Sequence, residues 1–193
     1  SNYINKKITV YSNRLEKRFR KELYFAIVQS PEVDSLLSGV LRGEFGFEEG
    51  EEESYVEPMV DFASSRVTVE IEPINLLASE EEMWVNVIFF DFLPSELLAV
   101  QNASYKSDGG TVNWLEWLTL AGDGVVVQSH IIVYGFNSAI AKSRSGLAIM
   151  RKSGKGYRVP PAYSGTEEDN FLTRAALSLP VERIFAEEWD AIR

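Results

Sequence analysis

The sequence predicts an α+β fold: a mostly antiparallel sheet with packed helices, an N-terminal helical hairpin and long extended loops. Apolar residues recur at helical spacing near the start of the chain and again after Thr166. Between residues 66 and 134 they alternate or run together as strands do, and glycine and proline punctuate what remains. Helical segments at both ends around a strand-rich middle point to helices covering one side or the ends of a sheet.

The first helix is predicted over residues 12–29. Leu15, Phe19, Leu23, Ala26 and Ile27 line one face, cations fill the other, and Ser12 is placed to cap it. Ser30-Pro31 ends this helix and opens a second, with serine as cap and proline in the first turn. Val33, Leu36, Leu37, Val40 and Leu41 form its apolar side, and Gly43 stands where a left-handed cap belongs. The two helices are expected to pair as a hairpin over residues 1–43. Residues 44–57 hold seven acids and no cation, and mutual repulsion predicts an exposed acidic loop.

The α+β core is assigned to residues 58–193 of one domain spanning 1–193. Residues 66–72 alternate Val67, Val69 and Ile71 against Thr68, Glu70 and Glu72, which is the pattern of a half-buried strand. Residues 83–91 are more apolar and predict a more buried strand, with Glu80, Glu81 and Glu82 in the turn before it. A short helix over 94–99, a turn over 106–110 and a helix over 112–120 follow. Gly122-Asp123-Gly124 marks a turn into a long strand over 125–134. Residues 147–151 predict a further strand inside a basic loop over 142–165. Thr166 as cap and Asp169 at the third helical position predict a helix over 167–179. Pro180 ends it, and 181–192 reads as a last amphipathic helix.

Composition narrows the chemistry. The 193 residues are 45% hydrophobic, enough for one core without staples. There is no cysteine, which excludes disulfides, thiol catalysis and thiolate-held zinc. One histidine, His130, leaves little for imidazole-based metal or acid–base schemes. The longest apolar run, 87–90 resumed at Phe92 and Leu93, falls short of the ~20 residues of a membrane span. The amino terminus is polar and basic, without a signal-peptide core. Ser1-Asn2 reads as a native start, and a soluble intracellular origin is expected.

Catalytic patterns are weak. His130 and Ser129 are strand neighbours and point to opposite faces, so they form no Ser–His pair. Ser153-Gly154-Lys155-Gly156 fails the spacing of a phosphate loop. The paired acids Glu81-Glu82 and Glu167-Glu168 suit solvation or a helix start better than glycosidase chemistry. The acidic run 44–57 matches no calcium-loop spacing. Trp114 and Trp117 share a helix face and are expected in the core. The sequence predicts no cofactor, no metal and no enzyme.

Charge is the more informative signal. The net charge is −10, yet residues 6–21 carry seven cations against Glu16 alone. The basic loop adds Lys142, Arg144, Arg151, Lys152, Lys155 and Arg158 before any acid appears. Overall acidity argues against a dedicated nucleic-acid binder. Blocks of opposite sign suit contacts between copies, positive patch on negative patch. The candidate interface residues are therefore those six cations, the acids Glu48, Glu49, Glu51, Glu52 and Glu53, and the first-helix cations Arg14, Arg18 and Lys21.

Several runs carry a resemblance. They are Asn113-Trp114-Leu115-Glu116-Trp117, Gly122-Asp123, Ser143-Arg144-Ser145-Gly146, Val159-Pro160-Pro161 and the stretch from Gly165 through Asp169-Asn170-Phe171-Leu172-Thr173-Arg174 to Ala175. Together they resemble virion structural proteins of tailed bacteriophages, over roughly the C-terminal half of the chain. The resemblance implies a non-enzymatic structural subunit forming a homo-oligomeric ring, a hexamer or dodecamer, at the head–tail neck. A connector or tail-completion role is implied, with adjacent neck and tail proteins as partners and only passing contact with DNA. It also implies residence in the virion, after assembly in the host cytoplasm, with no membrane partner. A tail terminator or baseplate subunit is the alternative; a small hydrolase using His130 with acidic residues, and an acidic adaptor or nucleic-acid mimic relying on residues 44–57, are readings of other classes.

Overall fold

The computed structural model describes residues 2–72, 84–107, 110–121, 126–127, 130–134, 148–152 and 157–192. Helix α1 (Asn2–Val28) is the organising element, packing against α4 (Glu52–Ser65), β1 (Val67–Ile71), α7 (Phe171–Leu177) and α8 (Val181–Asp190). Its inner stripe of Tyr11, Leu15, Phe19, Leu23 and Ile27 is spaced by four residues and fully covered. Phe19 sits between two edge-on rings, Phe89 at 5.7 Å and Phe185 at 5.6 Å, which fixes the helix between a β-ribbon and α8. The ribbon pairs β1 with β2 (Val85–Phe89) antiparallel, from Val67↔Phe89 to Ile71↔Val85. Side chains of α1 satisfy carbonyls of β1: Ser12, expected as the helix cap, lies instead inside α1, which begins at Asn2, and donates to Val69 at 2.9 Å, while Arg20 donates to Val67.

The α+β class stands. Among the described residues there are eight helices and four two-stranded antiparallel ladders. Besides β1–β2 these pair β3 (Tyr105–Ser107) with β4 (Gly110–Val112), β5 (Val126–Val127) with β8 (Tyr157–Arg158), and β6 (His130–Tyr134) with β7 (Ala148–Lys152). The expected strand over 125–134 is thus two strands with different partners, and the expected turn over 106–110 lies within a hairpin. The basic loop 142–165 contains β7 and β8. The turn acids Glu80, Glu81 and Glu82 lie outside the described residues. None of the helices described is long and apolar enough to cross a membrane.

The N-terminal hairpin of two helices is replaced by a different arrangement. The segment after α1 is broken into α2 (Pro31–Leu37) and α3 (Val40–Phe45). Ser35 causes the break, because its Oγ accepts the Leu41 N–H at 3.1 Å and so serves the start of α3. At Gly39 a Cβ would lie 2.8 Å from the Ser35 Cα, so only glycine allows this approach. The left-handed cap is Gly46, at φ 66°, while Gly43 is a buried residue inside α3.

Most of the expected acidic loop is helical. Glu44 and Phe45 end α3, and α4 begins at Glu52. Tyr55, Val56, Met59, Val60 and Ala63 give α4 a buried stripe. Glu52 and Glu53 in its first turn complement the helix dipole, and Arg42 pairs with Glu52 at 2.5 Å. Pro58 sits inside this helix and removes the N–H that Ser54 would accept. The Asn102 side-chain amide fills that role, donating to the Ser54 carbonyl at 2.8 Å. Asn102 is also left-handed, at φ 61°, a conformation asparagine tolerates better than alanine. An Asn102→Ala protein is therefore expected to lose about 1–2 kcal/mol, read as a lower urea midpoint with unchanged slope.

Behind α4 lies an aromatic cluster. Phe47 stacks on Tyr55 at 4.4 Å and meets the fully buried Trp114 of α6 (Trp114–Thr119) edge-on at 5.3 Å. Trp114 and Trp117 are core residues, as the spacing predicts. The Tyr105 hydroxyl donates to the Phe45 carbonyl, and Tyr157 donates to the buried Glu44 at 2.5 Å. The short helix α5 (Pro94–Leu98) buries Leu97.

Tyr11 reports on the α1–α8 contact. Its hydroxyl donates to the Phe185 carbonyl at 3.0 Å. Burial, and then the nearby Glu188 charge, raise its pKa above the ordinary 10.0. The folded state holds this proton more tightly, so the stabilisation is complete below pH 10.0 and is lost as pH rises through the raised value. Tyr11→Phe should lower stability by about 1 kcal/mol at neutral pH. It should also flatten the alkaline fall, measured by denaturant melts between about pH 9 and about pH 11.

Candidate functional site

A cleft of about 630 Å³ opens where the α1–α2 junction faces α7 and the chain around Pro161. Ser30 fixes one wall by capping α2, its Oγ accepting the Val33 N–H at 3.3 Å. That places Glu32 in the first turn of α2, with its side chain 4% exposed. The opposite wall is α7, and its position is set by Asn170.

Asn170 is buried and ties together α7, α6 and the turn at Thr166-Glu167. Its Oδ1 accepts the Leu172 and Thr173 N–H groups, capping α7. Its Nδ2 donates to the carbonyls of Thr119, Thr166 and Glu167. Thr173 completes a reciprocal box by accepting the Asn170 N–H at 2.9 Å. Thr166, expected as the helix cap, instead caps the preceding turn, accepting the Asp169 N–H at 3.0 Å. The helix therefore starts four residues later than the sequence predicts, because an asparagine reaching both α6 and α7 outcompetes a surface threonine.

From this frame Arg174 spans the cleft. Its Nη2 meets Glu32 Oε1 at 2.6 Å and its Nη1 meets Asp169 Oδ1 at 2.8 Å. Burial works to lower the Arg174 pKa, but the hydrogen bonds and charges of Asp169 and Glu32 outweigh it and raise it. Two carboxylates against one guanidinium leave one net negative charge, beside the buried Phe171. Such a cleft suits a cationic or hydrogen-bond-donating side chain of a partner. Among the described residues no group of three or more acidic or histidine side chains is gathered to hold a metal.

The sequence-predicted interface residues fall into four groups. Arg14 and Arg18 turn onto α8, pairing with Glu188 at 2.8 Å and Glu187 at 3.3 Å, and Arg18 also meets Glu22 at 2.9 Å. Their charge is met within the chain, whereas Lys21 and its neighbour Lys17 are exposed. Glu48, Glu49, Glu51 and Glu53 are exposed, while Glu52 is half-buried against Arg42. Arg158 is exposed on β8, and Arg151 and Lys152 stand in β7 opposite Ile131 and His130. Lys142, Arg144 and Lys155 lie outside the described residues.

Sequence reasoning assigned no role to Glu32, Asp169 or Arg174 in the cleft. The available signal was local: an acid directly after a Ser-Pro helix start, and an acid and a base five residues apart around an asparagine cap. Nothing local brings residue 32 to residue 174. Comparison of the chain with protein-family models, with curated proteins and with solved structures finds no match.

Proposed function

We propose that this chain is a non-enzymatic structural subunit of a tailed-phage virion, forming a ring at the head–tail neck through charge-complementary contacts. The observation that carries the reading is the charge left exposed once internal pairs are satisfied. The arginines Arg14, Arg18 and Arg20 are absorbed by acids of α1 and α8. Among the described residues, what remains outside includes a lysine face on α1, with Lys17 and Lys21, and an acidic face on and just before α4, with Glu51, Glu53 and Glu57. Two unlike surfaces on one subunit are what a head-to-tail contact requires.

Exposed apolar side chains support the same reading. Trp84 is 63% exposed, Leu93 65% and Leu177 84%, each a candidate anchor under a neighbouring chain. The resemblance run 165–175 builds the α7 wall of the cleft, so the residues that suggest a virion protein also shape a docking surface.

The test is electron microscopy of the purified chain, alone and mixed with isolated heads and tails, with gold-labelled antibody on intact particles. Rings, and label at the neck, are expected. Label at the tail tip would move the subunit to the baseplate. A strict monomer absent from particles sinks the proposal.

A further inference from the structure

A second concavity, about 190 Å³, lies between α1, α2 and α4. Tyr24 and Val28 of α1, Leu37 of α2 and Val56 of α4 give it an apolar floor and walls. Glu53 and Glu57, one helical turn apart on α4, form an acidic rim, and both are exposed. Phe25, edge-on to Tyr24 at 5.7 Å, is 46% exposed beside it.

The same face of α1 carries the complement. Lys17, Lys21, Tyr24 and Val28 follow at steps of four, three and four residues, so they lie along one stripe. The stripe is basic over its first part and becomes the wall of an acid-rimmed apolar groove over its last. One face bearing both halves is self-complementary when two copies of α1 meet antiparallel.

We infer that a second copy of this chain covers the groove in a two-fold pair, with Lys17 and Lys21 of each copy laid against Glu53 and Glu57 of the other. The lysine stems cover Val28 and Leu37 while their ammonium groups reach the rim carboxylates. Charge complementarity selects this occupant: each groove needs an apolar stem ending in a cation, and the chain presents two such side chains on the same stripe. The pair draws on charges that the neck reading also uses, but it joins them about a two-fold axis and is expected in solution whether or not the chain is built into a ring.

The experiment is a charge swap on the full chain, read by light scattering behind size exclusion. The wild type is expected at the mass of two chains. Lys17→Glu with Lys21→Glu, and separately Glu53→Lys with Glu57→Lys, should each weaken self-association by at least roughly tenfold. Each position is exposed, so both proteins should keep the wild-type circular dichroism. Mixed in equal amounts, the two variants should recover the mass of two chains, because each meets the opposite charge on the other. A wild type that stays monomeric at about 100 μM overturns the inference, given the affinities typical of specific pairs. So does a variant that associates as the wild type does, or a mixture that fails to recover the pair. Antibody label on intact particles tests the neck reading separately from these outcomes.

Discussion

A Gly165→Ala protein is expected to lose about 3 kcal/mol and to melt roughly 6–12 °C below the wild type. A Cβ at Gly165 would come within 2.6 Å of the Asn170 Cβ, 2.7 Å of the Leu118 carbonyl oxygen and 2.8 Å of the Asn170 Cα. Two of these three atoms are main chain, so no rotamer change relieves the overlap. The displaced group would be Asn170, which caps α7 and ties it to the Thr119 carbonyl. Moving it releases the α7 wall and, with it, the Arg174–Glu32 pair across the cleft. The measurement is thermal unfolding followed by far-ultraviolet circular dichroism. Adding Asn170→Gly should not rescue the protein, because the Leu118 oxygen and the Asn170 Cα remain. A Gly165→Ala melt within the error of the wild type would show that this junction is loose and that the cleft is not preformed.

Trp114→Ala should cost more, about 3–5 kcal/mol, or roughly 6–20 °C in Tm. Trp114 is completely buried, faces Phe47 edge-on, and donates through its indole N–H to the Asn102 carbonyl at 2.6 Å. Alanine would leave both a cavity and an unpaired carbonyl at the residue whose side chain replaces the missing Pro58 hydrogen bond. Trp114→Phe separates the two effects. It keeps a ring against Phe47 but loses the donor and part of the indole volume, so it should cost about 1–3 kcal/mol, less than alanine. Equal destabilisation by the two variants would mean that packing contributes little here, contrary to the contacts described.

The elements that were legible in the sequence carry their periodicity within one segment. The α1 stripe, the alternation of β1, the presence of strand β2, and helices α5 and α8 needed only local pattern. The deeper burial expected of β2 does not hold, since Val85, Val87 and Phe89 are half-buried and Asn86 and Ile88 exposed, whereas Val67 and Val69 of β1 are buried. Helix α4 was hidden by two local signals, a run of acids and an internal proline. Both are answered from a distance: Arg42 neutralises Glu52, and Asn102, far along the chain, donates to Ser54. The start of α7 moved for a similar reason, since Asn170 gains partners on α6 that Thr166 lacks. The long helix expected after Pro31 broke because Ser35 serves a second helix start, a hydrogen bond that apolar spacing does not encode.

The candidate interface divided in the same way. Exposed acids and lysines could be named from composition alone. Which cations are matched within the chain could not, because Arg14 and Arg18 meet their partners on α8, from the opposite end of the chain. By itself the sequence determined the α+β class, the inner face of α1, the burial of both α6 tryptophans and the segregation of charge, since each follows from residue type and spacing over a few turns. The tertiary structure alone decided which charges cancel, where α4 and α7 begin, and that Glu32 faces Arg174 across a cleft. Those depend on contacts between residues far apart in sequence, whose energy is realised only when the core brings their elements together.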